Sequence, residues 1–264
     1  MERLTIMNNT EHITIINFSG IYKQEQFWRN YKVSWVEAQD ISGTNCYCDE
    51  EALYEIDRRT GEIPFEGIHF IDSGNYHYMT RFWIDRITHP FRLIVFDNHT
   101  DMQMPAFGNI LSCGGWIAAS LEELENLKEV VLIGPDEKAY SQVQDLLKVK
   151  VRFLSREKLQ EMTYKEKESF IQSILEKSKL PFYISIDKDV LSPGEADTTW
   201  SQGDMTGEEL LWWLNKIIKC EELTGETWLG MDICGESDPD HSQNNGLNDR
   251  MNDLILQEVV RKDN

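Results

Sequence analysis

Asp97, His99 and Asp101 alternate along one short segment, Phe96-Asp97-Asn98-His99-Thr100-Asp101. In extended chain, alternate residues point to one side, so these three side chains can converge. Two carboxylates and an imidazole form a ligand set for Mn2+, Zn2+ or Fe2+. A turn rich in Asx residues is the plainer reading, but it does not account for three ligand types at period two. A second pair, Asp187 and Asp189, stands two apart in Ser185-Ile186-Asp187-Lys188-Asp189. His77 closes a third segment, Gly74-Asn75-Tyr76-His77. Four aspartates in one pocket repel strongly: two unit charges ~4 Å apart cost about 4 kcal/mol at an effective dielectric of ~20. Such a cluster persists only if cations neutralise it or the carboxyls take up protons. Two divalent ions balance four carboxylates, which favours a two-metal site over one.

For these segments to meet, the elements before them must end at one edge of a sheet. Arg92–Phe96 (RLIVF), Glu129–Ile133 (EVVLI) and Pro181–Ile186 are short, nearly continuous apolar runs. Such runs suit parallel strands buried on both faces. Further strands are expected at His12–Phe18, Gly67–Asp72, Val149–Leu154 and Glu226–Met231. Helical stretches are expected between them: Trp116–Leu127, Asp136–Leu147, a broken Arg156–Lys179, Gly207–Cys220 and Leu247–Lys262. Strand–helix alternation implies crossover units and an α/β sheet covered on both sides. Ligands of such sheets sit beyond the carboxyl ends of the strands. All three polar segments lie just there, each after an apolar run. The chain shows no repeat, low-complexity tract or linker, and a single domain over 1–264 is expected.

Composition narrows the function classes. Of 264 residues, 26 are Lys or Arg and 46 are Asp or Glu, giving a net charge of −20. A hydrophobic share of 41% excludes a disordered chain. The acidic balance argues against nucleic-acid binding, because phosphate would be repelled. It is compatible with a cationic substrate, although many soluble proteins carry such a charge. No apolar run approaches the ~18 residues a spanning helix needs. The start, Met1-Glu2-Arg3-Leu4 and then Asn8, Asn9 and Thr10, lacks the apolar stretch of a signal peptide. Five scattered cysteines, Cys46, Cys48, Cys113, Cys220 and Cys234, point to free thiols in a reducing cytoplasm. Cys46-x-Cys48 is too close for a usual redox or zinc pair.

Asp97-x-His99-x-Asp101 resembles the D-A-H-x-D motif of the arginase/agmatinase (ureohydrolase) family, and Ser185-x-Asp187-x-Asp189 resembles its S-x-D-x-D motif. Gly74-Asn75-Tyr76-His77 resembles the family's G-G-D-H turn less closely, and Gln202-Gly203-Asp204-Met205-Thr206 its P-G-G-L-T segment. The order along the chain agrees. The resemblance runs over residues 66 to 260 and leaves 1–65 as an unmatched N-terminal part. It implies a three-layer α/β/α fold with an eight-stranded, mostly parallel sheet. It also implies two manganese ions sharing a hydroxide that attacks a guanidinium or amidine carbon, with release of urea or a relative. Metals lower the pKa of bound water and orient it, the help a poorly electrophilic carbon needs. Carried onto this chain, the metal ligands would be His77, Asp97, His99, Asp101, Asp187 and Asp189, with Asp101 also counted as catalytic. Zn2+, Fe2+, Co2+ and Ni2+ also bind an Asp/His set.

Three positions depart from the family pattern: Cys113, Glu236 and Ser192, the last standing where many members have the aspartate of D-x-x-D-P, not a usual ligand. Cys113 falls where many members place a proton-shuttling histidine. A thiol can move protons, and it can equally be a small buried apolar group. His241, in Asp238-Pro239-Asp240-His241, is a second candidate for that task. The family's D-x-x-E glutamate contacts the cationic substrate. Here the run is Asp232-Ile233-Cys234-Gly235-Glu236, so Glu236 stands one residue late. Trp35, Tyr47 and Asn109 fall in expected rim loops, with Asn109 a candidate substrate contact. The substrate would be a small guanidino compound or an arginine side chain of a peptide. The alternatives are an amide or acyl hydrolase on the related deacetylase-type scaffold, which usually has one metal, and a non-catalytic metal-binding member. Residues 1–65 could shape the rim or a subunit contact. Family members commonly form trimers or hexamers, and no segment here specifies a homo-oligomer.

Overall fold

The computed structural model describes residues 12–104, 108, 110–224, 227–240 and 245–260, with the side chains at 176–178, 220–224 and 245 left aside. Ten strands are present among them: β1 (Ile13–Asn17), β2 (Val33–Glu37), β3 (Tyr47–Cys48), β4 (Ile68–Phe70), β5 (Phe91–Phe96), β6 (Leu111–Ser112), β7 (Leu127–Ile133), β8 (Val151–Leu154), β9 (Phe182–Asp187) and β10 (Trp228–Cys234). Eight form one sheet in the order β2-β1-β4-β10-β9-β5-β7-β8. Every pairing within it is parallel. The other two, β3 and β6, pair antiparallel as a small separate ribbon.

The apolar runs are buried on both faces, as their composition demands. On β5, Ile94 and Phe96 join one core cluster while Leu93 and Val95 join the other. On β9, Phe182, Ile184 and Ile186 face the first cluster and Tyr183 the second. The first face is covered by α7 (Tyr164–Ser178), α8 (Gly207–Thr224) and α9 (Asn245–Val259), through Ile171, Trp213, Leu214 and Ile255. The second is covered by α1 (Glu50–Thr60), α2 (Thr80–Ile84) and α3 (Trp116–Glu123), through Ile56, Trp83 and Ile117. The result is the expected three-layer α/β/α fold with eight parallel strands.

Several elements differ from the sequence expectation. The helix from Trp116 ends at Glu123, because Leu127 already begins β7. The stretch Asp136–Leu147 holds two short helices, α4 (Glu137–Ser141) and α5 (Asp145–Lys148), with Asp136 capping the first. The long stretch from Arg156, by contrast, is broken as expected, into α6 (Arg156–Glu161) and α7, where Met162 turns extended and Thr163 starts a new cap. Residues 12–65, which carried no recognised motif, supply β1, β2, β3 and α1. No helix among the described residues is long and apolar enough to cross a membrane.

Candidate metal centre

The strands β4, β10, β9 and β5 are neighbours in the middle of the sheet, and the motif residues leave their carboxyl ends. His77 lies in a 3-10 turn, Gly74–Met79, shortly after β4. Asp97 follows β5, Asp187 ends β9, and Asp189 sits in the turn Lys188–Val190 beyond it. Three chain segments far apart in sequence are thus delivered to one edge. Two glycines make room there. A Cβ on Gly74 would stand 2.9 Å from an Asp187 carboxylate oxygen, and one on Gly235 would stand 2.5 Å from the other. Gly235 also has φ +90, in the left-handed region that glycine tolerates.

The six expected ligands converge. His77 Nδ1 lies 3.0 Å from Asp101 Oδ2, 3.3 Å from Asp97 Oδ2 and 3.6 Å from Asp187 Oδ2. His99 Nδ1 lies 2.8 Å from Asp189 Oδ2 and 3.6 Å from Asp97 Oδ1. Asp97 therefore bridges two overlapping groups, His77–Asp97–Asp101 and Asp97–His99–Asp189. A third group adds a sulfur: His77, Asp187 and Cys234.

The residues around these ligands aim them. His77 Nε2 meets Ser185 Oγ at 2.9 Å, and Ser185 donates to Asp232 Oδ1 at 2.7 Å. Ser185 spends its proton on Asp232, so its lone pair takes the proton on Nε2. Nδ1 is left facing the site. Asp101 has φ 47, unusual for a residue with a side chain. It is held there by Ile117 N, which donates to its carbonyl at 3.0 Å, and by Trp116 Nε1, which donates to Oδ2 at 2.7 Å. The segment around Gln202 braces the other side: Gly203 N donates to the Asp189 carbonyl at 2.7 Å, and Ser201 Oγ meets His99 Nε2 at 2.9 Å.

The electrostatics fit a cation site. Burial, then Asp189 and Asp97, push the Asp187 carboxyl up to about 7. Burial and Asp97 push Asp189 up to about 6, against the nearby His99. Burial would lower His99, but its bonds to Asp189 and Asp97 outweigh that and push it up to about 12. His77 is likewise raised against its own burial, by Cys234 and by bonds to Asp101 and Asp97. The pocket's field therefore favours positive charge at its centre. Buried His77 Nδ1, Asp97 Oδ2 and Asp189 Oδ2 make no well-directed hydrogen bond, although each lies close to an opposite partner. All three atoms belong to residues of the groups that could hold an ion.

Above the ligands opens a cavity of about 230 Å³. His99, Asp101, Asp187 and Asp189 reach it from below, and Cys46, Tyr47, Cys113 and Trp200 form part of its wall. Cys113 thus stands at the cavity, as its place in the motif order implied. Cys46, read from the sequence as incidental, stands opposite it: Cys113 N donates to the Cys46 carbonyl at 2.9 Å, one step beyond the β3–β6 ribbon. The hydrogen bond from Cys113 lowers the Cys46 thiol to about 7, while the same bond and burial drive Cys113 far up.

Glu236 is placed differently from the expectation. It is not among the residues lining the cavity; it is fully buried, paired with Lys188 and accepting from Asn252 Nδ2 at 2.8 Å. The residue before it, Gly235, is in the left-handed region. Asn109 and His241 lie outside the described residues. Trp35 sits on β2 with its Nε1 bonded to Glu37, away from the cavity lining, whereas Tyr47 does reach it. Trp116, Cys46, Cys234 and Trp200 were not singled out by spacing. Only the apolar run after Cys113 hinted that Trp116 would start a helix beside the motif.

Comparison with known proteins agrees with this fold. A family model described as the Arginase family matches residues 21–257, so it reaches well into the part that carried no recognised motif. An uncharacterised protein of Thermotoga maritima is 34% identical over 230 residues, covering 86% of this chain and 81% of its own. Among solved structures, arginase from Bacillus caldovelox superposes with a TM-score of 0.71 at 13% identity, covering 96% of this chain and 99% of that one. Formimidoylglutamase from Bacillus subtilis superposes at 0.70 with 15% identity, covering 95% and 86%.

Proposed function

Because the chain belongs to the arginase family, whose members hydrolyse non-peptide C–N bonds at a binuclear metal site, we propose that it hydrolyses the C–N bond of a guanidino or amidino group. The observation that carries this reading is the convergence of His77, Asp97, His99, Asp101, Asp187 and Asp189 below one cavity, with buried donor atoms left without directed bonds. These six side chains would hold two divalent cations, manganese being an ion that a carboxylate-rich set suits. When bound, such ions supply Lewis acidity and bring the pKa of water from 15.7 towards ~7.

The chain's own residues do the rest. Ser185 and Asp232 keep the His77 lone pair on target. Trp116 and the α3 backbone hold Asp101 in its left-handed pose. Trp200 and Tyr47 offer aromatic surface to a planar cation at the mouth. Cys113, with Cys46 beside it on the cavity wall, is the group proposed to exchange a proton with a leaving amine. Glu236 serves instead as the buried partner of Lys188. Described cysteine side chains are all free thiols, which supports a cytoplasmic setting.

The test is metal content per chain together with product release from a panel of guanidino and formimino compounds. Two ions per chain with urea or formamide released is the expected result. Asp101→Asn and Asp187→Asn should each abolish metal-dependent turnover. Turnover that survives both changes would overturn the reading.

A further inference from the structure

Cys234 ends β10, the strand that lies between β4 and β9. It is the parallel register partner of Asp187, so the two side chains leave the sheet as neighbours on the same face. Its Sγ lies 3.2 Å from Asp187 Oδ2 and is fully buried. Sγ, an Asp187 oxygen and a His77 ring nitrogen all fall within 4.8 Å of one another. Ligands held at 2.0–2.3 Å from one ion stand roughly 3–4 Å apart, and the separations here, 3.2 Å from sulfur to oxygen and 3.6 Å from nitrogen to oxygen, match that spacing. An apolar side chain at 234 would have filled the same space. The chain instead puts a soft donor beside Asp187 and His77, in the group of three that could hold one ion.

We propose that Cys234 is a seventh ligand of the centre, a thiolate bound to the same ion as His77 and Asp187, and that it biases this position towards Zn2+, Fe2+ or Co2+ and away from Mn2+. The inference rests on the two-cation reading above. On binding, the S–H bond breaks, its proton passes to buffer and a sulfur–metal bond forms, with no change in oxidation state. The physical reason for the bias is softness. Four carboxylates and two imidazoles alone suit a hard ion, whereas a thiolate favours softer ones and is deprotonated outright when it coordinates. The two positions need not take the same ion, since the Asp97–His99–Asp189 group contains no sulfur.

The experiment uses the full chain loaded with Co2+ in place of its native metal. Cobalt per chain and visible d–d bands report whether the centre binds metal at all; a near-ultraviolet charge-transfer band reports sulfur on cobalt. The expected result is a charge-transfer band in the wild type that disappears in Cys234→Ala and Cys234→Ser while the d–d bands remain. Cys113→Ala and Cys46→Ala should keep the band. Competition between Zn2+ and Mn2+ should shift towards Mn2+ by roughly tenfold or more in Cys234→Ser, the scale of a lost metal-site contact. Bound cobalt with d–d bands but no charge-transfer band overturns the thiolate and leaves the two-cation reading standing. A band that survives in both Cys234 variants overturns it as well. No bound cobalt and no d–d bands would overturn both readings. Should Cys234→Ala fold poorly by circular dichroism, Cys234→Ser, nearly the same size, decides alone.

Discussion

The ring of His77 is gripped from behind by Ser185, itself anchored on Asp232 and near Thr80. These residues are not among those lining the cavity above the ligands, so losing the Ser185 hydroxyl should act on metal affinity through the His77 ring. Ser185→Ala is expected to weaken metal binding about 10–100-fold, the usual scale for such supporting bonds, as read by competition with a chelator. Unchanged affinity would mean that the ring needs no such hold. A second residue predicts a pH effect away from the site. His69 is fully buried, stacked on Trp83 at 4.1 Å, and burial lowers its pKa to about 4. Between pH 6.5 and 4 the unfolded chain therefore binds a proton there and the folded chain does not, so this contribution to stability falls as pH falls. The shift corresponds to about 3 kcal/mol across that window. Asp72 and Asp232, each pushed up to about 6 by burial, act in the opposite sense. The difference in unfolding free energy between wild type and His69→Gln isolates the histidine, and a difference independent of pH would refute its neutral burial. At this scale the motif ligands were legible because period-two spacing after a strand has a direct geometric meaning. Cys46, Trp116 and Cys234 were not, because each reaches the site from an element whose neighbour lies far away in sequence. Glu236 was expected to reach the cavity and is instead buried against Lys188; a glutamate one residue late in its motif does not reveal in sequence which way it will face.

The break between α6 and α7 shows how elements are punctuated. Thr163 Oγ1 accepts from Glu166 N, and the Glu166 carboxylate accepts from Thr163 N at 2.8 Å, a reciprocal cap. Thr163→Ala should cost about 1 kcal/mol of stability, measured by denaturant unfolding; a loss near zero would mean that packing alone fixes the start of α7. The strands of the sheet centre were readable as continuous apolar runs, since burial on both faces leaves no polar positions. Edge strand β2 was not, because Val33–Glu37 is half-exposed and its pattern is diluted. Helix α1 did carry a signal: Asp49 as cap, Glu50 and Glu51 in the first turn, Arg58 and Arg59 in the last. The β3–β6 ribbon had none, for two-residue strands have no periodicity to read.

Taken whole, the molecule is stitched together from its N-terminal part to its last helix. Asp249 on α9 accepts from Gln26 N and Phe27 N, and Asn252 bridges Glu25 and Lys188 in the buried core. Residues 12–65 are thus built into the same body as the metal ligands, and one cooperative thermal transition is expected. Two separated transitions in calorimetry would mark the N-terminal part as a unit of its own. Cations held by the proposed ligands would tie together the ends of β4, β5 and β9. At 100 times its dissociation constant a bound ion adds about 2.7 kcal/mol. At 2–4 °C per kcal/mol this should raise the midpoint by roughly 5–10 °C over chelator-treated protein; equal midpoints would argue against the site. The ribbon of β3 and β6 pairs only with itself, outside the eight-stranded sheet. Part of the cavity wall, Tyr47 and Ser112, is thus carried by a ribbon that shares no backbone pairing with the strand ending in Asp187, so a substitution at Tyr47 would reshape the opening without touching the sheet beneath it.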